Sequence, residues 1–503
     1  MALNNITFVK GQGGLGRPLP GKDFISSLLF FTPSLPSGFD VNNRVKAIYS
    51  VNDAENLGVK NDYLDETKAT GVYTISGAGA VGDAIEFFFL EPSNINVSLG
   101  KYVKQATDTT LTILGTSIAT LINAGTYTHG YSATSTVGAI TITVKKGMGI
   151  YPNTNTALTA VISGTIVGSI TTPFSGGVSS KNAVYYYHIT EFFRLQPQGK
   201  IWLAFYVVPS TYNFVEIQTI QQIANGEVRQ LGVYVDSVAY TSIHLTSIQA
   251  ICSILDGFKM PLSVIYAGDI SAVTDLTTLT DLTTLLNNKV SVVIGQDGAG
   301  LGNKLFKSYG KSITNLGAVL GAIGLSAVNE DIAWVGKFNM SNGIELESVA
   351  FANGTNNLSV STLNQLDSSR YIFLRKFPNL AGSYFNDSHC AIAKNSDYAY
   401  IENNRVIDKI IRSIDTALLP SLNSSLRLNS NGTLANSTIA FLEDQSTLIT
   451  DDMVRNSEVS AVSVVINPNQ NVASTSTVII SIKIVPIGVA RNIIINVGFK
   501  TSI

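Results

Sequence analysis

An alternation of strand-like and helix-like runs between residues 182 and 325 limits the possible folds more than any other feature. IWLAFYVVP (Ile201 to Pro209) is continuously apolar, as in a central strand buried on both faces. EIQTIQQIANG has isoleucines at helical spacing, and the strand-like runs VRQLGVYVD, PLSVIYAGD and KVSVVIGQD follow. Thr241 and Ser242 can cap a helix between the first two of these strands. This order predicts a parallel or mixed sheet with helices on its faces.

Two further helices are predicted in the same region. DLTTLTDLTTLLNN contains a six-residue duplication with leucines repeating along it, and a long helix is expected around residues 304–325. The second helix contains a Gly317-xxx-Gly321 pair in a very apolar run. Polar residues interrupt that run, and Lys311 and Glu330 lie close to its ends, so we expect a buried helix and no membrane span.

Residues 70–180 differ from the rest in composition. They are rich in Thr, Ser, Gly, Ile and Val, and almost free of charge after Lys104. VGAITITVKKG and ALTAVISGTIVGSITT alternate with period two, and helical signals are few apart from a short segment near TSIATLINAG. The pattern predicts an inserted all-β domain, a small sandwich or barrel.

The last part of the chain combines a helix with several strands. ENNRVIDKIIRSIDTALLP is the clearest amphipathic helix in the protein and ends at Pro420. EVSAVSVVINP and STVIISIKIVP alternate like strands, and VARNIIINVGFKTSI is strand-like to the terminus. The polar face of the helix is expected to carry Arg405, Asp408, Lys409, Arg412 and Asp415.

The charge content indicates a surface that other molecules cover. Charged residues make up 14% of the 503-residue chain, against roughly 25% in ordinary soluble domains. A net charge of -2 gives no reason to expect nucleic acid or an anionic membrane as a partner. MALNNITFVK lacks the pattern of a secretory signal, so we expect the protein to stay in the cytoplasm at least until assembly.

Two glycine-rich motifs could bind a nucleotide, but neither has the neighbouring residues that such a site requires. Gly11-x-Gly13-x-x-Gly16 has the spacing of a dinucleotide fingerprint, but Pro18 and Pro20 prevent the helix that must follow it. A second glycine-rich loop, Val292 to Lys304, lacks the Gly-Lys-Ser/Thr of a phosphate loop, so an ordinary turn is favoured over a ligand loop.

The histidines and cysteines offer no better site. His389 and Cys390 are neighbours, which places them on opposite faces of a strand, and no pair of histidines or cysteines has metal-ligand spacing. We therefore nominate no catalytic, cofactor-binding or metal-binding residue and expect no enzyme.

Both ends of the chain look like strands without a sequential hairpin partner. An unpaired strand edge is a template for pairing with another chain, so the two ends are candidate inter-subunit arms. Pairing inside the same subunit remains open as the alternative. Glycines and prolines separate the arms from the body as candidate hinges: Gly11, Gly13, Gly14, Gly16, Pro18, Pro20 and Gly488.

Three stretches resemble the contractile tail sheath proteins of phages and related injection systems, and most of all a branch found in Bacteroidetes elements. They are YIFLRKFPNLAGSYFND, SDYAYIENNRVIDKIIRSIDTALLPSL and VSVVINPNQNVASTSTVIISIKIVPIG. The resemblance covers residues 365–503 well, the preceding α/β part loosely, and the inserted domain not at all.

The resemblance implies a mechanical role. Sheath subunits stack as hexameric rings around a tail tube, with a baseplate at one end and a tail terminator at the other. Terminal arms add strands to neighbouring subunits, and contraction drives the tube into a target cell without nucleotide hydrolysis. The location implied is a virion tail or an injection particle assembled in the host cytoplasm, with no direct membrane insertion.

The resemblance also assigns residues to roles. The arm role falls on Ile6, Phe8, Val9, Ile493, Ile495, Val497 and Phe499. A helix that faces the tube is matched by Arg405, Lys409 and Arg412, with an ordinary solvated helix face as the alternative. An S-layer-like or capsid-associated protein is the second interpretation of the chain, and a nucleotide-binding α/β enzyme is the third.

The expected architecture is a multidomain α/β and α+β protein. It comprises an N-terminal arm (1–22), a mixed-sheet core (23–69 and 181–355), the inserted β domain (70–180), a C-terminal sheath domain (356–488) and a C-terminal arm (489–503).

Overall fold

The computed structural model describes residues 23–154 and 157–499. The predicted N-terminal arm residues Ile6, Phe8 and Val9 lie outside the described residues, as do all the predicted hinge positions before residue 21. The core begins with β1 (Ser26–Thr32), β2 (Val45–Ile48) and α1 (Val51–Asn56). The inserted unit follows, with β3 (Thr70–Ala78), β4 (Ala84–Leu90), β5 (Asn96–Val103), α2 (Leu111–Ala124), α3 (Thr126–His129), β6 (Ser132–Thr136), β7 (Ala139–Thr143), α4 (Tyr151–Thr154), β8 (Leu158–Ser163) and β9 (Ile166–Ser175).

The chain then returns to the core and ends in a helical and β-hairpin unit. The core continues with α5 (Lys181–Leu195), β10 (Ile201–Val207), α6 (Val215–Ile223), β11 (Gln230–Ala239), α7 (Ser242–Gly257), β12 (Ser263–Asp269), β13 (Leu286–Asn287), β14 (Val290–Val292), β15 (Gly295–Asp297), α8 (Leu301–Tyr309) and α9 (Leu316–Leu325). The remaining elements are β16 (Val349–Phe351), α10 (Val360–Ser368), β17 (Leu374–Arg375), β18 (Tyr384–Phe385), β19 (Ala391–Ile392), α11 (Ile401–Leu418), α12 (Asn436–Arg455), β20 (Val459–Ile466), α13 (Val472–Thr475) and β21 (Ile480–Pro486).

A six-stranded sheet in the order β14-β12-β11-β1-β10-β2 forms the centre of the core. All its strands are parallel except β2, which pairs antiparallel with β10 at the edge. Strand β1 is buried along its whole length, with Leu28 and Phe30 packed on one side and Leu29 and Phe31 on the other. The expected mixed sheet with helices on both faces is therefore present, as the continuous apolar strands predicted.

The inserted unit contains two antiparallel sheets, but it is not all-β. The sheets have the orders β6-β7-β3-β9 and β5-β4-β8, and they share one core with helix α2. Thr110 caps this helix by accepting a hydrogen bond from the amide of Ile113, and Leu114, Ile118 and Ile122 face the sheets. The all-β prediction was wrong because these three side chains supply an apolar helix face over 14 residues, and the short helical segment noted near TSIATLINAG falls on α2.

Two helix predictions in the core are also corrected. DLTTLTDLTTLLNN forms two short 3-10 turns, Leu276–Thr278 and Leu282–Thr284. The carboxylates of Asp275 and Asp281 each accept a hydrogen bond from the amide two residues later, and this local bonding competes with a continuous helix. The long helix expected around residues 304–325 is divided into α8 and α9, because Gly310 adopts a left-handed conformation (φ 71°).

Helix α9 is buried on all sides, as the sequence predicted, and packs closely against α5. A Cβ atom built on Gly317 would lie 2.1 Å from the carbonyl oxygen of His188, and one on Gly321 would lie 2.9 Å from that of Phe192. These glycines let the two helix backbones approach each other. No helix in the described ranges combines the length and apolarity that a membrane span requires.

We expect Gly317→Ala to lower the free energy of unfolding by ~1–3 kcal/mol, since the added methyl group forces α5 and α9 apart. Thermal or chemical unfolding of the full chain measures this effect. Gly257→Ala is the matched control, because Gly257 also lies in a helix but has open space around the position of a Cβ atom. Equal stability of Gly317→Ala and the control would contradict the close packing of the two helices.

Candidate functional site

Helices α11 and α12 carry the C-terminal hairpin, which we define as β20 and β21. The two strands pair antiparallel in a two-stranded sheet. Val459, Val462 and Ile484 pack on Val406 and Ile410 of α11, so one face of the hairpin is covered. The opposite face exposes Ser460, Ser463, Val465, Ser481, Lys483 and Val485. Within the described residues each strand therefore keeps one edge without a strand partner.

The C-terminal arm is exposed from residue 492 onward and belongs to no helix or strand up to residue 499. The predicted arm residues Ile493 and Ile495 are 78% and 77% exposed, and Val497 and Phe499 are more exposed still. In an extended chain these four alternate residues share one face. The structure thus places all four arm residues together without a partner inside the described part of the subunit.

Arg491 fixes the root of this arm to the body. Its Nε lies 3.0 Å from both carboxylate oxygens of Asp387, and its Nη2 lies 3.1 Å from Asp331 Oδ2 and 2.5 Å from Glu402 Oε1. The guanidinium also lies over the ring of Tyr400, 3.5 Å from its centre. We call this group the Arg491 clamp; it consists of Arg491, Asp331, Asp387, Ser388, Tyr400 and Glu402.

Burial and neighbouring carboxylates shift the pKa values of two groups in the Arg491 clamp. Burial and, after it, the nearby charges of Glu402 and Asp387 together raise the pKa of Asp331 to about 8. Burial alone would lower the pKa of Arg491, but Asp387 and Glu402 outweigh it, so the pKa ends above its usual value. The raised pKa keeps Asp331 mostly protonated at neutral pH, so the guanidinium chiefly faces the charges of Asp387 and Glu402.

The predicted tube-facing cations of α11 make contacts inside the subunit. Arg405 is buried and donates from Nη1 to Ser326 Oγ (2.7 Å) and to the carbonyl oxygen of Ala327 (2.9 Å). These acceptors lie at the C-terminus of α9, where a cation is stabilised by the helix dipole. Burial lowers the pKa of Arg405 to about 10. The alternative of an ordinary solvated helix face does not hold for Arg405 or Asp408, because both are buried where the core and the hairpin cover α11 on two sides.

Lys409 and Arg412 meet at Asp23, the first described residue. Lys409 Nζ lies 2.9 Å from Asp23 Oδ2 and 2.5 Å from Glu458 Oε1, and Arg412 Nη2 lies 3.5 Å from Asp23 Oδ1. The three cations predicted from sequence are therefore brought to the start of β1 and the end of α9. A role towards a tube stays a prediction.

Gly488, the one predicted hinge residue that the structure describes, is exposed and has no atom within 4 Å of the position of a Cβ. Its φ lies outside the left-handed region, so nothing in its surroundings requires glycine. A hinge role for Gly488 stays a prediction.

In the glycine-rich loop before α8, the backbone amides donate hydrogen bonds to carboxylates of the same chain. Asp297 accepts hydrogen bonds from the amides of Ala299, Gly300 and Gly302, and Glu345 accepts one from Leu301. The amides that could hold a phosphate are therefore already occupied, and this favours the ordinary turn over a ligand loop.

The neighbouring His389 and Cys390 form no nucleophilic pair. Burial raises the pKa of the Cys390 thiol to about 12, and His389 Nε2 lies 3.1 Å from Asp367 Oδ1. The thiol is therefore protonated at neutral pH, and only a thiolate attacks efficiently. In the described part of the chain, no three His, Cys, Asp or Glu side chains gather where they could hold a metal ion.

Sequence reasoning did not find the Arg491 clamp. One signal was available: Arg491 is the one charged residue between Lys483 and Lys500, in an otherwise apolar and amide-containing run. Its acidic partners lie 89 to 160 residues away along the chain. A single sequence could not have paired them.

We expect thermal stability to fall as the pH rises from about 4 to about 8, and to fall less in Asp331→Asn. The pKa of Asp331 is raised in the folded state, so its contribution to stability is complete below its unfolded pKa of about 4 and is lost as the pH passes about 8. Unfolding midpoints measured across this range provide the test. Asp452→Asn, at an exposed surface pair, is the control, and a pH dependence unchanged in Asp331→Asn would refute the assignment.

Three of the solved structures that this chain resembles are contractile sheath proteins. The contracted helical sheath of the anti-feeding prophage is 14% identical, with a TM-score of 0.44, over 63% of this chain and 81% of that chain. The contracted PVC sheath of an extracellular contractile injection system is 10% identical, with a TM-score of 0.43, over 63% and 80%. A sheath tail protein from Listeria innocua is 10% identical, with a TM-score of 0.38, over 93% and 96%.

Two family models together match most of the sequence. No curated protein matches it at a significant level. Residues 92–389 match the model described as DUF2586, N-terminal domain, and residues 397–503 match DUF2586, C-terminal domain. The chain belongs to the DUF2586 family.

Proposed function

We propose that this chain is the structural subunit of a contractile tail sheath, which polymerises as stacked rings around a tail tube by exchanging terminal strands. The observation that carries the proposal is the C-terminal arm, whose apolar face has no partner among the described residues of its own subunit. The resemblance of residues 365–503 to sheath proteins supplies the class of assembly.

The arm has the properties of a strand that completes a sheet elsewhere. Ile493, Ile495, Val497 and Phe499 alternate with Ile494, Asn496 and Gly498, so an acceptor can bury one face while the other stays against solvent or a second layer. The eight residues from 492 to 499 span about 26 Å when extended, which is enough to reach an adjacent subunit.

The C-terminal hairpin is the proposed acceptor. Two strands with a single covered face are marginally stable alone, and a third strand adds both backbone hydrogen bonds and apolar contact. Each edge of the hairpin can accept an arm. An arm that leaves one subunit and enters the next makes a head-to-tail contact, and such contacts propagate into rings or helical filaments.

The proposal extends to partners and movement. The tail tube lies inside the rings, with the baseplate and the tail terminator at the two ends, and the particle is assembled in the host cytoplasm. On contraction the subunits rotate as rigid bodies while the exchanged strands stay paired. Ile6, Phe8 and Val9 are proposed to form the second arm, and Lys409 and Arg412 are kept as a proposed tube-facing pair. Arg405 is left out of this pair because it is buried against Ser326 and Ala327 of its own subunit.

We expect removal of residues 492–503 to abolish polymerisation while the body still folds. The purified full chain should form long hollow cylinders in negative-stain electron microscopy, and the truncated chain should sediment as a monomer or a small oligomer. Flat arrays of the full chain would favour the S-layer-like alternative. Cylinders formed by the truncated chain would contradict strand exchange by this arm.

A face-specific pair of substitutions separates strand pairing from general apolar contact. Ile495→Asp places a charge on the proposed buried face, and we expect it to raise the critical concentration for assembly at least about tenfold. Ile494→Asp is the matched control, with the same chemistry one residue away on the opposite face, and should have a smaller effect. Critical concentrations from sedimentation provide the measurement, and equal effects would argue against a strand.

A further inference from the structure

We infer that Arg491 is the pivot of the C-terminal arm: the clamp holds residue 491 on the body, and the segment free to engage a neighbour begins at residue 492. The use of the arm in assembly rests on the proposed function. The attachment of its root does not, since it is a property of the single subunit.

Among residues 23–154 and 157–499, every hydrogen bond and ion pair made by residues 487–499 involves Arg491. Its partners come from the segment after α9 (Asp331), the segment before β19 (Asp387 and Ser388) and the start of α11 (Tyr400 and Glu402). Residues 488–490 and 492–499 are exposed, whereas Arg491 is partly buried. The arm is therefore attached at Arg491. The four residues 487–490 are held at both ends, by β21 and by Arg491, and this short link resists the extension that a protease needs, whereas the chain from residue 492 onward is free.

The chemistry of the Arg491 clamp suits a lasting attachment. A planar guanidinium can donate from its edge to several carboxylates while its face lies flat on an aromatic ring, and a compact ammonium group has no such planar fork. Arg370 lies over the same Tyr400 ring, 4.8 Å from its centre, so the ring is fixed independently of the arm. Withdrawal of Arg491 would leave Asp331, Asp387 and Glu402 crowded together without their cation.

A pivot at Arg491 moves the hinge away from Gly488. Gly488 lies between β21 and the anchored residue, so its freedom does not reach the part of the arm beyond the Arg491 clamp. Because the root is fixed, the arm leaves each subunit from one point of the surface. Such preorganisation lowers the entropy lost when the arm binds a neighbour.

Limited proteolysis of the monomer tests the attachment without requiring assembly. Thermolysin cleaves before large apolar residues, and in the wild-type monomer we expect cleavage from Ile493 onward, with the bond before Val489 protected. Arg491→Ala should expose the bond before Val489, and mass spectrometry of the products locates the cleavage. Arg455→Ala, which removes an exposed arginine from the same unit, is the control and should cleave as wild type.

Assembly provides a second readout. We expect Arg491→Ala to raise the critical concentration about tenfold and Arg491→Lys to give only partial recovery, because Lys restores the charge without the planar fork. If Arg491→Ala alone does not fold, the double variant Arg491→Ala/Glu402→Gln relieves the excess negative charge and is compared with Glu402→Gln.

The two proposals can fail separately. Protection of the bond before Val489 in a folded Arg491→Ala variant would overturn the pivot, whether or not the chain assembles. Cleavage before Val489 that is as fast in the wild type as in Arg491→Ala would also overturn the pivot. A wild-type chain that shows the expected cleavage but forms no polymer would overturn the proposed function and leave the attachment standing.

Discussion

Helix α11 holds the C-terminal unit on the core through charges that are buried rather than solvated. Arg405 binds the C-terminus of α9, and Asp408 pairs with Lys289, which precedes β14 at the edge of the central sheet. Breaking such a pair by removing one partner typically costs ~3–5 kcal/mol, because the other charge is left buried. Tyr400, the cap residue of the same helix, and Glu402 in its first turn belong to the Arg491 clamp. The positions of the hairpin and of the arm therefore both depend on how α11 packs on the core.

This arrangement separates a rigid body from an exposed segment. The core, α11 and the hairpin are joined by shared apolar clusters and buried ion pairs, whereas the arm beyond Arg491 touches none of them through a hydrogen bond. Burying an exposed large apolar side chain contributes ~1.5–3 kcal/mol, and the arm offers four on one face. This exposed apolar face and the low charge content of the chain support the proposal that neighbouring copies cover part of its surface.

The sequence predicted the parts of the fold in which local pattern and tertiary packing agree. The strand at Ile201–Val207, the helix capped by Thr241 and the buried helix α9 all follow from periodicity and caps. It failed for the leucine-rich duplication, where aspartate side chains bond to the nearby backbone. It also failed for the polar face of α11, because Arg405 and Asp408 find buried partners on distant segments. The sequence did not predict the Arg491 clamp for the same reason, since the partners of Arg491 also lie on distant segments.

Cross-linking between two copies tests strand exchange most directly. The native Cys252 and Cys390 are buried, so added surface cysteines react against a low background. One variant carries Val497→Cys in the arm, and the other carries Ser463→Cys on β20 or Ser481→Cys on β21. After co-assembly and mild oxidation, we predict a disulfide between the two different copies, present in the polymer and absent from dilute monomer. Failure of both acceptor positions to give an interchain product in a formed polymer would contradict the account.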